Sequence, residues 1–163
     1  MRRAEGLRRT EGLRGLRRTG VIRMRFMVAT DEDLVVVAHV AGLLRARGHE
    51  VELRAARAWG EAAIGVAREV ASGRADQGIV FCHTGTGVSI AANKVKGVRA
   101  ALCGDPETAA GARRWNDANV LALSLRLSTP ESVEGIVEAW LGSGYEGSET
   151  VSLEAIRREE GGC

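Results

Sequence analysis

Residues 80–94 read VFCHTGTGVSIAANK, and this segment decides the fold. Val80 and Phe81 close a short apolar strand that carries Cys82 at its end, a Thr/Gly loop follows, and small residues then begin a helix. The arrangement directs backbone N–H groups and a helix N-terminus at a point beside a thiol, where anions and developing oxyanions are stabilised. The same field favours the thiolate form of Cys82, which predicts a base or a nucleophile.

Strand and helix patterns alternate on both sides of this segment. Asp105-Pro106 and Thr129-Pro130 each combine a helix N-cap with proline at the first helical position, and Ser89 opens the third helical pattern. A last charged helix is predicted over Ser152–Glu159. The apolar runs that predict strands are Arg25–Thr30, Glu50–Arg54, Gly78–Cys82, Val98–Cys103 and Val120–Leu123. We therefore predict the α/β class, a three-layer α/β/α sandwich with a five-stranded parallel Rossmann-like sheet.

The composition fits one domain of 163 residues with an aliphatic core, because aromatic residues make up only 4% of the chain. No apolar run approaches the roughly 20 residues of a membrane span, and the N-terminus lacks the apolar centre of a signal peptide. The three cysteines have neither metal-ligand spacing nor the even count of a disulfide framework. We expect a reduced, cytoplasmic protein with no membrane partner, no cofactor and no metal.

Charge divides the chain into a basic tail and an acidic domain. Residues 1–25 hold nine Arg and two Glu, a net charge of +7, whereas the remainder carries −5. The tail repeats Glu-Gly-Leu-Arg at residues 5–8 and 11–14, and its glycines disfavour a stable helix. We expect residues 1–23 to be a disordered low-complexity extension or to precede a true start at Met24. A nucleic-acid-binding arm and a transit peptide are the alternatives, although nucleic acid is not an expected partner of the domain.

The central motif and the residues after it resemble the type B ribose-5-phosphate isomerase family, which includes galactose-6-phosphate isomerase subunits. The resemblance runs from about Met24 to Gly147, so residues 24–147 form the isomerase-like domain and residues 148–163 a C-terminal tail with helical potential. The residues that carry it are Asp31, Asp76, Cys82, the segments 84–94 and 98–103, the segment RRWNDANVL at 113–121, and the segments 139–141 and 145–147.

The resemblance implies an activity and a set of site residues. Family members interconvert aldose and ketose phosphates without a metal, through an enediolate, and they are homodimers whose sites lie between subunits. By position, Cys82 is the base, and Thr84 and the amides from Gly85 to Ser89 hold the enediolate oxygen. His83 stands where the family has glycine, and it is a further catalytic candidate because it neighbours Cys82. The residues implied to bind the sugar or sugar phosphate are Asp31, Glu32, Gly85, Thr86, Gly87, Val88, Ser89, Trp115, Asn116 and Arg126.

Several positions depart from the family pattern. Trp115 replaces the histidine that opens the sugar ring, and an indole cannot exchange a proton in the useful range. Glu32 replaces a phosphate-facing histidine, and residues 148–153 lack the usual Arg and His, which leaves Arg126 as the clear phosphate-binding cation.

Charge-assisted contacts contribute about 1.5–3 kcal/mol each, so these losses predict weak binding of the usual pentose phosphate. One interpretation is an isomerase with an altered substrate, such as an open-chain tetrulose phosphate, in which His83 takes over acid–base work. The other is a catalytically silent sugar-binding or regulatory subunit of the same fold.

Other conspicuous residues have structural interpretations. The acidic cluster at residues 31–33 is a favourable helix N-cap rather than a metal site. The Gly85-x-Gly87 pattern lacks the third glycine of a dinucleotide motif, because Ile90 stands at that position. Packing or solvation accounts for Cys103, Trp140, His39 and His49.

Overall fold

The architecture alternates strands and helices from the first described residues onward. A computed structural model describes residues 22–32 and 35–161, so most of the predicted N-terminal extension, Asp33, Leu34 and Cys163 lie outside the described residues. The elements are β1 (Arg25–Thr30), α1 (Val35–Ala46), β2 (Glu50–Ala55), α2 (Trp59–Ala71), β3 (Gln77–Cys82), α3 (Thr86–Ala92), β4 (Ala100–Leu102), α4 (Pro106–Arg114), β5 (Val120–Ser124), α5 (Pro130–Leu141) and α6 (Thr150–Glu159).

The five strands form one parallel sheet in the order β2-β1-β3-β5-β4. Successive side chains of β3 enter opposite layers, as the two-residue strand period requires. Ile79 and Phe81 pack with α1, α4 and α5 on one face, whereas Val80 and Cys82 pack with α2 and α3 on the other. The predicted three-layer α/β/α sandwich is therefore confirmed.

The order of the strands creates a switch point between β1 and β3. The chain leaves β1 toward β2 on one side and leaves β3 toward β4 on the other, so the loops after β1 and β3 diverge. In open parallel sheets, ligands bind in the crevice at such a point, beyond the carboxyl ends of the strands. The topology thus marks one location for a site before any side chain is considered.

Several element boundaries differ from the predicted ones, and two of the differences have clear local reasons. Helix α3 begins at Thr86 rather than Ser89, because Gly85 adopts a left-handed conformation (φ 75°) and turns the chain directly into the helix. Strand β4 covers only Ala100–Leu102, since the Val98 N–H bonds back to the Val95 carbonyl. The side chain of Asn93 then accepts from the N–H of Ala100 and donates to its carbonyl, both at 2.8 Å.

The predicted proline-marked helix starts have the expected caps. The Asp105 carboxylate accepts the Thr108 N–H at 2.8 Å, and Thr129 and Ser132 form a reciprocal capping box. Helix α6 begins two residues before the predicted Ser152. None of the helices within the two described ranges has the length and apolar character needed to cross a bilayer.

Packing explains the residues that were expected to be structural. Trp140 is 1% exposed, and its indole N–H donates to Gln77 Oε1 at 2.5 Å. His49 is buried and accepts the Met24 N–H on Nδ1, and burial lowers its pKa.

Burial, with a smaller contribution from the Asp105 carboxylate, raises the pKa of the Cys103 thiol to about 12. Cys103 is therefore a neutral core thiol at physiological pH.

Gly85 provides a test of how tightly the loop after β3 is built. An added Cβ would lie 2.6 Å from Leu102 Cδ1 and 2.9 Å from the Leu123 carbonyl carbon, whereas one at Gly73, which has a similar φ of +74°, would meet nothing within 4 Å. Gly73→Ala is expected to cost only the left-handed strain, about 1–2 kcal/mol. Gly85→Ala should add about 1–3 kcal/mol of overpacking. Urea unfolding of both variants measures the difference, and equal losses would show that the crowding has no cost.

Candidate active site

The residues predicted to act together after β1 and β3 lie side by side at the switch point. Thr30, the last residue of β1, is in register with Phe81 of β3. Asp31 and Cys82 are therefore the next residues along two neighbouring parallel strands, whose backbones are about 4.8 Å apart. The structure thus brings together the acid and the thiol that the sequence places more than fifty positions apart.

Cys82 lies at the junction between strand and loop. Its side chain is 5% exposed and belongs to the apolar layer formed with α2 and α3. Its carbonyl accepts the N–H of Gly85 at 3.2 Å and the N–H of Leu125 at 3.0 Å, which ties the loop after β3 to the end of β5. These two hydrogen bonds fix the backbone of Cys82, and the residue is almost fully buried.

The loop from His83 to Ser89 presents free donors at this edge of the sheet. The Ser89 N–H bonds to the Gly85 carbonyl at 3.2 Å, as the first bond of α3. In the parts of the chain that the structure describes, the N–H groups of Thr86, Gly87 and Val88 have no hydrogen-bond acceptor. The first amides of any helix lack an intrahelical partner, so they are available to an anionic oxygen.

Two threonine hydroxyls project from the same loop. The left-handed turn at Gly85 brings Thr84 Oγ1 and Thr86 Oγ1 to 2.7 Å from each other, and both residues are exposed. The sequence identified both residues as site candidates but gave no sign that their side chains interact, because the contact depends on the backbone conformation of the glycine between them.

Trp59, which was not predicted as a site residue, packs against the loop. It is the first residue of α2, and a Cβ on Gly87 would lie 2.9 Å from its Cε3 atom. The indole is 48% exposed, so it forms an aromatic wall beside the loop amides. The only sequence signal for this role is its position just after the carboxyl end of β2.

The end of β1 presents an acid with an unused oxygen. Thr30 Oγ1 accepts the Glu32 N–H at 3.1 Å and donates to the Glu32 carbonyl at 2.8 Å, and this tight turn leaves Glu32 exposed. Asp31 Oδ1 is shielded from solvent and finds no hydrogen-bond donor among the described residues. A shielded carboxylate oxygen normally has a partner, so this atom fits a ligand hydroxyl.

Arg126 and His83 lie beside each other across β3 and β5. The His83 carbonyl accepts the Arg126 N–H and the Ser124 hydroxyl, both at 3.0 Å. The two side chains are exposed, so one cation and one imidazole face the same solvent-filled edge. Ser124 was not predicted, although its place at the end of β5 is the same kind of position that identified Cys82.

Trp115 and Asn116 are not brought to the Cys82 of their own chain. They connect α4 to the start of β5, which is the amino edge of the sheet. Gly78 pairs with Val120 at that end and Cys82 pairs with Ser124 at the other, a rise of four residues or about 13 Å. The predicted set of site residues is thus divided between the carboxyl ends and the amino ends of the strands.

An open apolar groove runs along the outer side of β4. This edge groove has a volume of about 950 Å³ and is bounded by β4, α4 and α6. Its walls include Leu102, Trp115 and Ile156, whose side chains are 40%, 50% and 43% exposed. The Trp115 ring packs on Gly111 of α4, where a Cβ would lie 2.7 Å from Cζ3.

Within residues 22–32 and 35–161, no three His, Cys, Asp or Glu side chains converge to hold a metal.

Comparisons with known proteins identify the family. The family model described as Ribose/Galactose Isomerase matches residues 27–156. Ribose-5-phosphate isomerase B of Escherichia coli is 51% identical over 82 residues, which are 50% of this chain and 55% of that protein. D-erythrulose-4-phosphate isomerase of Pectobacterium atrosepticum is 44% identical over 82 residues, or 54% of its length. The chain thus spans about half the length of the curated relatives it matches.

A solved structure extends the similarity over a longer part of the chain. The ribose-5-phosphate isomerase B structure from Clostridium thermocellum superposes with a TM-score of 0.81 at 34% identity, covering 85% of this chain and 98% of that one. The similarity therefore includes both edges of the sheet, where the candidate residues lie.

Proposed function

The chain belongs to the ribose/galactose isomerase family, and from that premise we propose that it is an aldose–ketose isomerase acting on a sugar phosphate or a related sugar. The observation that carries the proposal is the meeting of Cys82, the donor-rich loop and the shielded Asp31 oxygen at the switch point of the sheet. The alignment of these groups fits the transfer of a proton between adjacent carbons, in which a base, an oxyanion site and a hydroxyl acceptor are needed together.

The proposed proton transfer uses groups at the carboxyl ends of β1 and β3. The Cys82 thiolate removes the proton from the carbon next to the substrate carbonyl, and the electron pair moves to the carbonyl oxygen to form an enediolate. Thr84 and the loop amides donate to that oxygen, while Asp31 accepts a sugar hydroxyl. The hydroxyl proton of the deprotonated carbon passes to the adjacent enediolate oxygen. The thiol then returns its proton to the former carbonyl carbon, so that the carbonyl group ends on the neighbouring carbon. Cys82 is only 5% exposed, so little water reaches the proposed base.

The substrate that best fits these residues has four carbons. A tetrose or tetrulose phosphorylated at O4 has no free hydroxyl that can close a furanose ring, so it needs no ring-opening histidine. Trp115 is then compatible with catalysis. One of the similar proteins is named a D-erythrulose-4-phosphate isomerase, which supports the same substrate class.

The proposal also includes a homodimer. Asn116 and Trp115 lie at the opposite edge of the sheet from Cys82, so they reach a catalytic site only if a second copy supplies them. The edge groove contains Trp115 and presents exposed apolar side chains, as an interface between chains requires. A second chain in this groove would bury Leu102 and Ile156 and bring the two edges into one site.

A silent sugar-binding or regulatory subunit is the second candidate function. It is favoured by the exposed Glu32 beside Asp31 and by the absence of Arg and His from residues 148–153, which both reduce attraction for a phosphate. The two candidates differ in turnover. Conversion of D-erythrulose 4-phosphate, ribose 5-phosphate or another aldose or ketose by purified protein excludes the silent subunit.

Removal of the proposed base tests the isomerase directly. Cys82→Ala should lower kcat by about 10²- to 10⁴-fold, the usual contribution of a general base. Cys103→Ala is the matched control, because it removes a buried thiol that stays neutral. The measurement is the interconversion of aldose and ketose phosphates, with thermal melting as a check on folding. Full activity in Cys82→Ala would eliminate this residue as the base.

Mixing inactive variants tests the shared site. Cys82→Ala and Asn116→Ala should each be inactive as pure proteins, yet a mixed dimer would contain one site with both residues intact. Random exchange makes half of the dimers mixed, so about a quarter of the wild-type activity should return after the two are unfolded and refolded together. No recovery, with mixed dimers shown by native mass spectrometry, would place both residues in the same chain's site.

Substitution at Trp115 tests the basis of substrate choice. Trp115→His should raise turnover of ribose 5-phosphate relative to D-erythrulose 4-phosphate by about tenfold or more, because it supplies an acid–base group for ring opening. Trp115→Phe controls for the change in size and should leave the ratio unchanged. Equal ratios in wild type and Trp115→His would show that ring opening does not limit the substrate range.

A further inference from the structure

We propose that the Thr86 hydroxyl is a positioning group for Thr84: it donates its proton to Thr84 Oγ1 and leaves the Thr84 proton free for the substrate oxygen. This inference rests on the proposed isomerase function and assigns a role to a side chain beyond the amide expected from the sequence. The evidence is the 2.7 Å separation between the two oxygens, the usual distance of an O–H···O hydrogen bond.

The contact is imposed by the glycine between the two threonines. Gly85 has φ 75° and ψ −17°, and this left-handed turn places Thr84 and Thr86 on the same side of the loop. The turn cannot relax outward, because the space behind it is filled by Leu102 and by the backbone of Leu123. The fold therefore holds the two threonines close enough for their hydroxyls to form a hydrogen bond.

The direction of the hydrogen bond follows from the charge that develops on the substrate. One proton lies between the two oxygens, so either threonine could be the donor in the free protein. If Thr84 donated to Thr86, it would present only lone pairs to the substrate and would repel an oxyanion. When Thr86 donates instead, Thr84 donates onward, and each bond in the chain polarises the next.

The two hydrogen-bonded hydroxyls stabilise the intermediate more than they stabilise the bound substrate. No proton leaves either threonine, since both remain neutral while the electron pair arrives on the substrate oxygen. The stabilisation therefore grows with the negative charge, and a group that acts in this way raises kcat without changing ground-state binding equally.

Neither hydroxyl has another task in the described parts of the chain. Among residues 22–32 and 35–161, the only hydrogen bond that either hydroxyl makes is their mutual contact. The N-cap of α3 is Gly85 and has no side-chain cap, so Thr86 does not hold the start of the helix. Both residues are exposed, and loss of the Thr86 hydroxyl is not expected to disturb the apolar layers.

Steady-state kinetics with D-erythrulose 4-phosphate test the proposal. Thr86→Val keeps the shape of the side chain but should lower kcat by about 2- to 12-fold, the value of one neutral hydrogen bond, while KM changes less than twofold. Thr86→Ser keeps the hydroxyl and should recover at least half of kcat. Ser72→Ala, which removes a hydroxyl that donates to the Glu69 carbonyl far from the loop, serves as the control with unchanged kinetics.

A double-mutant cycle separates positioning from a general effect on the loop. Once Thr84→Val has removed the donor, adding Thr86→Val should cost nothing further in kcat. Additive losses in the double variant, or a full kcat in Thr86→Val, would overturn the inference. A fall in kcat and KM together with a lower melting temperature, and without rescue by Thr86→Ser, would show a merely structural role and would overturn it as well.

Binding of an intermediate mimic provides a readout that does not depend on turnover. D-erythronohydroxamic acid 4-phosphate has the planar pair of oxygens found in the enediolate. Calorimetry should show that Thr86→Val weakens this hydroxamate by the same factor as kcat, with D-erythrulose 4-phosphate affinity unchanged. An active wild type whose Thr86→Val variant binds the hydroxamate normally would overturn this inference alone. A wild type that turns over no sugar phosphate and binds no hydroxamate would overturn the proposed function too.

Discussion

The loop after β3 depends on a residue without a side chain at position 85. The backbone there is left-handed, and the space that a Cβ would occupy is already filled by Leu102 and by the carbonyl carbon of Leu123. From this one turn follow the immediate start of α3, the free amides of its first residues and the meeting of the Thr84 and Thr86 hydroxyls. Every donor proposed to stabilise the oxyanion is therefore oriented by the close contact between the backbones of Gly85 and Leu123.

The topology of the sheet separates the remaining chemistry into two halves. The carboxyl edge holds Cys82, Asp31 and Arg126, whereas the connection from α4 to β5 holds Trp115 and Asn116 at the amino edge. A single parallel sheet cannot bring its two edges together. The proposed homodimer resolves this separation, and the edge groove with its exposed aromatic and aliphatic side chains is the surface that such an association would cover.

Sequence patterns predicted the layers and the approximate positions of the strands because both depend on local signals. The apolar run Arg25–Thr30 is β1 to the residue, and the proline-marked starts of α4 and α5 are correct. The start of α3 was misplaced because hydrophobic periodicity carries no information about a positive φ. Trp59 was missed for another reason: its contact with Gly87 joins two helices that the sequence does not relate. The family resemblance supplied the expected roles of the site residues. It could not show which of them lie at the same end of the strands.

Both outer strands of the sheet are protected against pairing with further strands. At β4, the Asn93 carboxamide occupies the N–H and the carbonyl of Ala100, and β2 presents the charged side chains of Glu50, Glu52 and Arg54. A single subunit would therefore expose apolar side chains in the edge groove. It would not expose a strand whose free backbone groups could pair with further strands. Its self-association would then depend on the fit between side chains. Such contacts favour a closed, finite assembly over an open-ended polymer.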